Sequence, residues 1–268
     1  AMMGKAPVHN PRVRVDTARK PVLHLNGIRA QDRSGLNSIQ IDDVTLHSGE
    51  VLGIAGISGN GQMELMEILT GQRRLQAGEI RANGTRYTAT RAEARQHKIR
   101  YLPEEPLRNA CAPKMSVADN LAFKMFDVRR NGRPAFWCNR KDMARNADRL
   151  IAEFNVKTTS PDARIASLSG GNVQRAVLGR ELTGEVNALI ISNPCFGLDF
   201  GAVSAIRDRI IEARNNGTAV LLISENLDEI MELSDRILVM SEGRIAFETT
   251  AAAADLTEIG QHMAGHAA

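Results

Sequence analysis

A glycine-rich segment at residues 56–63 has the residue types and spacing of a loop that binds phosphate. In the pattern GxxxxGK[ST], backbone amides and a helix start surround a polyphosphate, a lysine reaches its outer phosphates and a hydroxyl ligates magnesium. Here Gln62 replaces the lysine and Met63 replaces the hydroxyl residue. Because an amide is uncharged and a thioether is a poor ligand for a hard cation, we expect nucleotide affinity to be lowered about ten- to a hundredfold.

The glycines of this loop have a second explanation, because a tight turn from a strand into a helix also needs them. The segment alone is therefore consistent with two roles, residual nucleotide binding and a purely structural turn. If the loop does bind nucleotide, the candidate contacts are Gly56, Ser58, Gly59, Asn60, Gly61, Gln62 and Met63.

A second segment, residues 168–175, places a serine and two glycines at the start of a helical pattern. A serine there leaves backbone N–H groups and the positive end of the helix dipole directed outward, and the glycines allow close approach to the backbone. An ordinary helix cap is the alternative explanation. The segment predicts an anion site that faces outward.

Buried strands and helices alternate around these two segments. The apolar run Val51–Ala55 ends at the glycine loop, and a helix is predicted directly after it at 63–69. Further strands and helices are predicted, in alternation, at 188–191, 202–214, 219–223 and 227–233. This alternation predicts an α/β fold with a parallel sheet.

Antiparallel strands are predicted on either side of this core. Alternating residues between 22 and 46 predict small strands that are interrupted at Gly27 and at Ser34-Gly35. Residues 236–240 and 245–247 flank a turn, and together they predict a hairpin at the edge of the sheet.

A helical subdomain is predicted at about residues 116–183, between the early and the late strands. Its clearest pattern is a stripe of apolar residues on one helical face, formed by Met143, Ala147, Leu150, Ile151 and Phe154. We expect this stripe to pack against a core.

The composition of the 268 residues excludes several classes of protein. Hydrophobic residues make up 43% and charged residues 24%, as in an ordinary globular domain. A net charge of +3 and an aromatic content of 4% argue against a nucleic-acid partner. The three cysteines have neither CxxC spacing nor a histidine cluster, so we expect no disulfide framework and no zinc site. No apolar run approaches the roughly 18 residues of a membrane span.

The glycine loop and the second segment together resemble the ATP-binding-cassette (ABC) ATPases, whose LSGGQ signature is matched by residues 168–172 with Asn172 in the last place. The resemblance spans about residues 22–265 and implies the P-loop NTPase fold of an ABC cassette, with an N-terminal antiparallel β subdomain and an inserted helical subdomain. We expect residues 1–21 to be a linker or tail. In this family two cassettes pair head to tail, and each nucleotide lies between the phosphate loop of one and the signature of the other.

The sequence resembles one subgroup in particular, the second cassette of tandem ATP-binding subunits in importers of simple sugars or nucleosides, the ribose or galactose type. In such subunits two cassettes share one chain of roughly twice this length, so the resemblance implies a partner cassette in the N-terminal half of the same chain. The segments that carry this resemblance are residues 59–65, 101–105, 168–172, 190–194 and 197–199.

The catalytic positions of the family are changed in this sequence. Ser192 stands where an aspartate holds magnesium through water, and Asn193 where a glutamate polarises the attacking water. Glu225 stands where a switch histidine contacts the γ-phosphate, and an anion there should repel it. Glu104 replaces the glutamine that links the metal site to the transporter, and residues 29–34 contain no clear adenine-stacking aromatic. Since an amide cannot act as a general base near pH 7, we expect no intact catalytic residue.

The resemblance therefore implies a degenerate site that still serves a partner. The signature would contact ATP bound mainly with the partner cassette, where Mg²⁺ would also lie. The residues implied in that contact are Leu168, Ser169, Gly170, Gly171, Asn172 and Gln174. A loop that crosses the dimer is implied at Gly197, Leu198 and Asp199.

The same resemblance implies partners and a location. Membrane permease subunits would dock near Glu104 and residues 116–126, and an extracytoplasmic binding protein would act indirectly. The domain would then lie at the cytoplasmic face of the cell membrane, held there by the permease. ATP hydrolysis by the whole assembly would drive transport, while this domain alone would be weak or inactive.

Three other functions remain as alternatives. The chain could be an autonomous ATPase that uses Glu64, Glu104 or Glu225 as unorthodox metal or base groups. It could be a catalytically silent module for dimerisation and docking, in which case Ser169 would not matter. It could also be a cassette protein that acts on nucleic acid, although the near-neutral charge argues against this.

Overall fold

The computed structural model describes residues 19–31, 35, 38–125 and 139–265. Most of the predicted linker at 1–21, part of the 29–34 segment and the end of the 116–126 surface lie outside these residues. The chain divides into two compact units. We call residues 1–101, 185–193 and 207–268 the sheet unit, and residues 102–184 and 194–206 the helical unit.

The strands are β1 (Pro21–Gln31), β2 (Ser38–His47), β3 (Val51–Ala55), β4 (Ala77–Ala82), β5 (Thr85–Tyr87), β6 (Ile99–Leu102), β7 (Ala188–Ser192), β8 (Ala219–Ser224), β9 (Arg236–Ser241) and β10 (Arg244–Thr250). The helices are α1 (Gln62–Leu69), α2 (Arg91–Gln96), α3 (Pro106–Asn109), α4 (Val117–Leu121), α5 (Arg140–Glu153), α6 (Gly170–Glu181), α7 (Phe200–Asn215), α8 (Leu227–Leu233) and α9 (Leu256–Met263), with a 3-10 turn at Ile165–Ser167. The predicted alternation of strands and helices is thus observed.

The strands form one sheet in the order β5-β4-β1-β2-β10-β9-β3-β8-β7-β6. Neighbouring strands from β9 through β3 and β8 to β7 are parallel. Those from β5 to β2 are antiparallel. The predicted parallel core and antiparallel part are therefore both present, and they are continuous with each other.

The hairpin β9–β10 occupies the middle of this sheet, so its predicted position at the edge is wrong. β10 pairs antiparallel with β9 and makes a single parallel bridge to β2, between Arg244 and Gln40. The turn itself follows from sequence, since Glu242 (φ 49°) and Gly243 (φ 76°) both adopt the left-handed conformation that a tight hairpin needs. The pairing with β2, which no local pattern encodes, places the hairpin centrally.

Gly27 does not interrupt the first strand, contrary to the sequence-based expectation. β1 runs through it, and the register with β4 shifts between Asn26 and Arg29. Gly27 faces Gly78, where an added Cβ would lie 2.3 Å from the Gly27 carbonyl oxygen. The glycine therefore marks a bulge, which lets two backbones approach closely, and not a chain break.

The core of the sheet unit lies around β3 and β8, whose residues are all buried. Continuous apolar strands of this kind are expected where a parallel sheet is covered on both faces. β2 instead shows buried positions interspersed with partly or fully exposed ones. The glycine loop thus follows directly after one of the most deeply buried strands of the sheet, β3.

The helical unit has its own apolar core, in which α5 packs against α4 and α6. Ala147, Leu150 and Phe154 of the predicted stripe are buried, while Met143 and Ile151 are half-buried. The stripe therefore packs as expected. In the described part of the chain, no helix is long and apolar enough to cross a membrane.

Candidate functional site

The glycine loop connects the end of β3 to the start of α1. Gly61 stands at the helix start with φ 104°, and an added Cβ there would lie 2.8 Å from the Met240 Cε atom and 3.3 Å from the Gly243 Cα atom. Only glycine fits this position without a shift of its neighbours. Ser58 and Gly59 are exposed at the tip of the loop.

Gln62 folds back across its own loop. Its side chain is 8% exposed, and its Nε2 donates a hydrogen bond to the Ile57 carbonyl oxygen at 3.2 Å. A Cβ at Gly56 would lie only 2.2 Å from this Nε2 atom. The amide is therefore held inside the loop, against the backbone that would surround a phosphate.

The residues of this loop do not fit a magnesium ion. Met63 offers a thioether, and its side chain is 68% exposed. Within residues 19–31, 35, 38–125 and 139–265, no group of three or more His, Cys, Asp or Glu side chains is placed to hold a metal ion. Because Mg²⁺ requires oxygen ligands in near-octahedral geometry, we derive no metal-dependent step at this loop.

Asn60 fastens the glycine loop to the C-terminal part of the sheet unit. Its Oδ1 accepts from the Glu242 N–H at 3.2 Å, and its carbonyl oxygen accepts from the Gly243 N–H at 3.0 Å. Its Nδ2 donates to the Met263 carbonyl oxygen at 3.3 Å. The sequence predicts that Asn60 contacts nucleotide, whereas the structure shows its side chain bonded within the protein.

Three further candidate positions, Ser192, Asn193 and Glu225, lie at the carboxyl ends of neighbouring strands. Ser192 ends β7, and Asn193 follows it with φ 42°. The Asn193 Oδ1 atom accepts from the Glu225 N–H at 3.0 Å, and the Asn193 N–H donates to the Ile223 carbonyl oxygen at 2.8 Å. β3, β8 and β7 are parallel neighbours, so the glycine loop, Glu225 and Asn193 all lie at the carboxyl ends of these strands. Ligand sites of parallel sheets are expected at this position.

A buried carboxylate supports the Glu225 segment. The Ser224 hydroxyl donates to the Glu229 carboxylate at 2.7 Å and accepts from the Asn226 N–H at 3.1 Å. Glu229 is buried in the first turn of α8. Sequence reasoning missed this pair, because their contact depends on how β8 meets α8. The backbone at Glu225 is thus held from both sides, while its side chain is exposed.

The signature segment begins α6, as predicted. Ser169 occupies the cap position in an extended conformation, and its side chain makes no capping hydrogen bond to the helix backbone. Ser169 and Gly170 are exposed, Leu168 and Gly171 are half-buried, and a Cβ at Gly170 would meet nothing within 4 Å. The start of α6 is therefore open to close approach by another molecule.

Asn172 and Gln174 use their side chains within the helical unit. Asn172 is half-buried and bonds both Ser169 and the backbone at Lys157. Gln174 is only 3% exposed, and its Nε2 donates to the Pro194 carbonyl oxygen at 2.9 Å. Gln174 has a structural role here, and its expected contact with nucleotide stays a prediction.

The predicted dimer loop lies at the start of α7. Asp199 accepts from the Ala202 N–H at 2.9 Å, which caps that helix, and Gly197 adopts φ 69°. Phe196 and Phe200, which flank the predicted residues, are 74% and 96% exposed. Glu104 is half-buried in the helical unit, two residues after β6. Neither of the two exposed aromatics is predicted as a site residue from the sequence.

The sequence matches a known family and curated proteins. Residues 39–195 match the family described as ABC transporter. The chain is 39% identical over 249 residues to the glucose import ATP-binding protein TsgD13 of Haloferax volcanii, a match that covers 92% of this chain and 45% of that protein. It is 32% identical over 265 residues to the guanosine import ATP-binding protein NupO of Bacillus subtilis, a match that covers 98% of this chain and 52% of NupO. The chain thus spans about half the length of these relatives.

Solved structures show the same fold. An ABC transporter ATP-binding cassette in its ADP conformation superposes with a TM-score of 0.70 at 21% identity, covering 91% of this chain and 95% of the other. CbiO1 of Clostridium perfringens, part of an ABC transporter complex, gives a TM-score of 0.69 at 18% identity, covering 91% and 92%. The predicted α/β P-loop NTPase class is confirmed. The chain belongs to the ABC transporter family, as an ATP-binding cassette.

Proposed function

We propose that this chain is the degenerate nucleotide-binding domain of an ABC importer for sugars or nucleosides, and that it presents its signature to ATP on a partner cassette. The names of TsgD13 and NupO, glucose and guanosine import ATP-binding proteins, support this substrate class. Because the chain spans only about half of each relative, a second cassette in the same subunit is a natural partner.

The observation that carries the proposal is the position of Gln62. A charged residue at this place would attract the outer phosphates of a nucleotide, whereas the neutral amide bonds the Ile57 carbonyl inside the loop. A nucleotide would have to displace this bond without gaining an ionic contact. We therefore expect the loop to bind nucleotide weakly and independently of magnesium.

The edge of the sheet supports the same conclusion. Asn193 presents an amide where a general base would be needed, and its Oδ1 bonds the backbone of Glu225. The exposed carboxylate of Glu225 would repel a phosphate. Asn193 can position the backbone, but its amide cannot activate a water molecule.

The intact chemical feature is the start of α6. The Ser169 hydroxyl and the amides of Gly170 and Gly171 can donate to an anion, and the positive end of the helix dipole also favours one. When they face ATP bound to the partner cassette, these donors would stabilise the negative charge on its phosphates during hydrolysis. Gly197, Leu198 and Asp199 would lie along the same pairing surface.

The proposal extends to the membrane subunits. Permease proteins would dock on the helical unit near Glu104 and α4, which keeps the domain at the cytoplasmic face of the membrane. An extracytoplasmic binding protein would deliver the sugar or nucleoside to the permease. Closure of the two cassettes around ATP would then be transmitted through this docking surface.

Titration of ATP and ADP into the purified chain, with and without magnesium, tests the degenerate loop. We expect affinity weaker than about millimolar or binding that is indifferent to magnesium. Micromolar, magnesium-dependent binding would contradict the proposal and favour an autonomous ATPase.

Ser169→Arg in the complete ATP-binding subunit, assembled with its permease, tests the signature. We expect loss of transport and of ATP hydrolysis, because the larger cation blocks the approach to α6. Thr159→Arg, an exposed residue of the same unit, is the matched control and should leave both activities unchanged. If Ser169→Arg also left transport intact, the chain would be a silent docking module.

A further inference from the structure

The Asn172 side chain joins two parts of the helical unit at the start of α6. Its Oδ1 accepts from the backbone N–H of Lys157 at 2.7 Å, and its Nδ2 donates to the Ser169 hydroxyl oxygen at 2.8 Å. The side chain therefore connects the loop after α5 to the serine that precedes α6. Ser169 itself remains exposed at this point.

Chemistry fixes the orientation of this amide. A backbone N–H can only donate, so the atom that faces Lys157 must be the carbonyl oxygen of Asn172. The NH₂ group then faces Ser169, and the serine oxygen must accept. The hydroxyl hydrogen consequently cannot point at Asn172, and the side chain does not cap the helix backbone. The hydroxyl is left to donate to a group outside this pair.

We infer that Asn172 is a positioning residue that holds Ser169 as a hydrogen-bond donor toward an anion in front of α6. The inference rests on the proposed function, in which this anion is the phosphate chain of the partner's ATP. A donor that is oriented before the anion arrives needs no reorganisation when it binds. The bond received from Asn172 also polarises the hydroxyl and strengthens its donation.

A purely structural role of Asn172 gives a different expectation. Asn172→Asp keeps an acceptor for the Lys157 N–H, so it preserves the fastening of the loop. However, its second oxygen would accept the Ser169 hydrogen, which reverses the bond and withdraws the donor, and the new charge repels phosphate. Asn172→Ala removes both bonds. Which of the two variants loses more ATP hydrolysis therefore distinguishes a positioning role of Asn172 from a role in fastening the loop.

The test measures kcat and KM for ATP hydrolysis, together with the thermal midpoint, in the complete ATP-binding subunit. We expect Asn172→Asp to lower kcat/KM at least about tenfold with an unchanged midpoint, and to be at least as damaging as Asn172→Ala. In a Ser169→Ala background, Asn172→Ala should have little further effect, since the two residues act as a pair. Near-normal hydrolysis in Asn172→Asp, with loss in Asn172→Ala, would overturn the inference.

Asn155→Asp is the matched control for charge. Asn155 is exposed two residues before Lys157, and its φ of 49° is one that both Asn and Asp tolerate. We expect kcat/KM within about twofold of wild type, and a loss equal to that of Asn172→Asp would overturn the inference. Failure at the two levels is distinguishable. If Ser169→Ala leaves hydrolysis unchanged, the proposed function fails, whereas loss in Ser169→Ala with normal Asn172→Asp rejects only the positioning role.

Discussion

Gln62 and Met63 limit what the glycine loop can bind, because they replace the lysine and the hydroxyl residue of the phosphate-loop pattern. The left-handed glycines and the helix start are in place, whereas the charged and hydroxyl side chains are absent. Two substitutions should therefore restore much of the missing chemistry.

We expect Gln62→Lys combined with Met63→Ser to raise ATP affinity at least about tenfold and to make binding depend on magnesium. The lysine adds a charge-assisted contact, and the serine adds an oxygen ligand. Calorimetric titration measures both effects. Gln72→Lys, an exposed residue beyond α1, carries the same charge change and should leave the affinity as it is. Equal gains in both variants would show that bulk charge alone is responsible.

Glu93 gives a second prediction, for stability against pH. Partial burial opposes ionisation, but hydrogen bonds from Thr88 and Thr90 outweigh it and lower the pKa of Glu93 to about 2. Since the folded pKa lies below the usual 4.5, the stabilisation is complete above pH 4.5 and is lost as the pH falls toward 2. A capping interaction of this kind contributes about 1 kcal/mol.

Urea unfolding at pH 5 and at pH 3 measures this effect. Glu93→Gln should be less stable than wild type at pH 5, and the difference should shrink at pH 3. Hydrogen bonds from Arg29 and Arg81 lower the pKa values of Asp42 and Glu79. Because both carboxylates are present in wild type and variant, their effects on stability cancel in the difference between the two proteins. A difference that stays constant between the two pH values would contradict the prediction.

At the scale of secondary-structure elements, α6 carries a glycine whose purpose is visible only in three dimensions. A Cβ at Gly179 would lie 2.8 Å from the Phe154 Cδ2 atom, so the helix leaves room for this ring. Gly260, in α9, has nothing within 4 Å of its added Cβ. The two helical glycines therefore make a matched pair.

Gly179→Ala should destabilise the protein by about 1–3 kcal/mol, because overpacking against Phe154 exceeds the gain in helix propensity. Gly260→Ala should stabilise it by about 0.5–1 kcal/mol, since only the propensity term acts. Urea unfolding midpoints report both changes. Stabilisation by both substitutions would mean that the ring of Phe154 moves aside freely.

The elements with strong local signals could be predicted from the sequence. The apolar run of β3, the glycines after it and the helix α1 agree in one short stretch, as do Ser169 and the start of α6. The hairpin between β4 and β5 was missed, although Asn83 and Gly84 form the left-handed pair that its turn requires.

Contacts between distant residues could not be predicted. Asn60 donates a hydrogen bond to the carbonyl oxygen of Met263, 203 residues later in the sequence, and no local pattern marks such a pair. The place of Gln174 in the signature predicts a contact with the partner's nucleotide, but nothing in the sequence predicts the bond from its side chain to the Pro194 carbonyl oxygen. Residue types at spaced positions indicate a chemistry, but only packing decides which side chains remain available for it.

At the scale of the whole molecule, the proposed function predicts unequal sites. In the complete subunit, we expect one tightly held ATP for each pair of cassettes, because the loop of this chain lacks ionic contacts. Gln62→Lys, Met63→Ser and Asn193→Glu together should move the count toward two. Native mass spectrometry of the subunit with ATP and magnesium measures this ratio. Two tightly bound nucleotides in the wild-type subunit would contradict the asymmetry.

The central position of β10 also bears on how the protein is made. The strands from β5 to β2 are joined to the rest of the sheet through β10, which ends at Thr250. A ribosome therefore delivers β1 to β9 before the strand that connects β2 to β9 emerges. Until then the edge of β2 lacks its partner strand, so we expect it to be open to pairing with other chains while the rest of the sheet unit is being made.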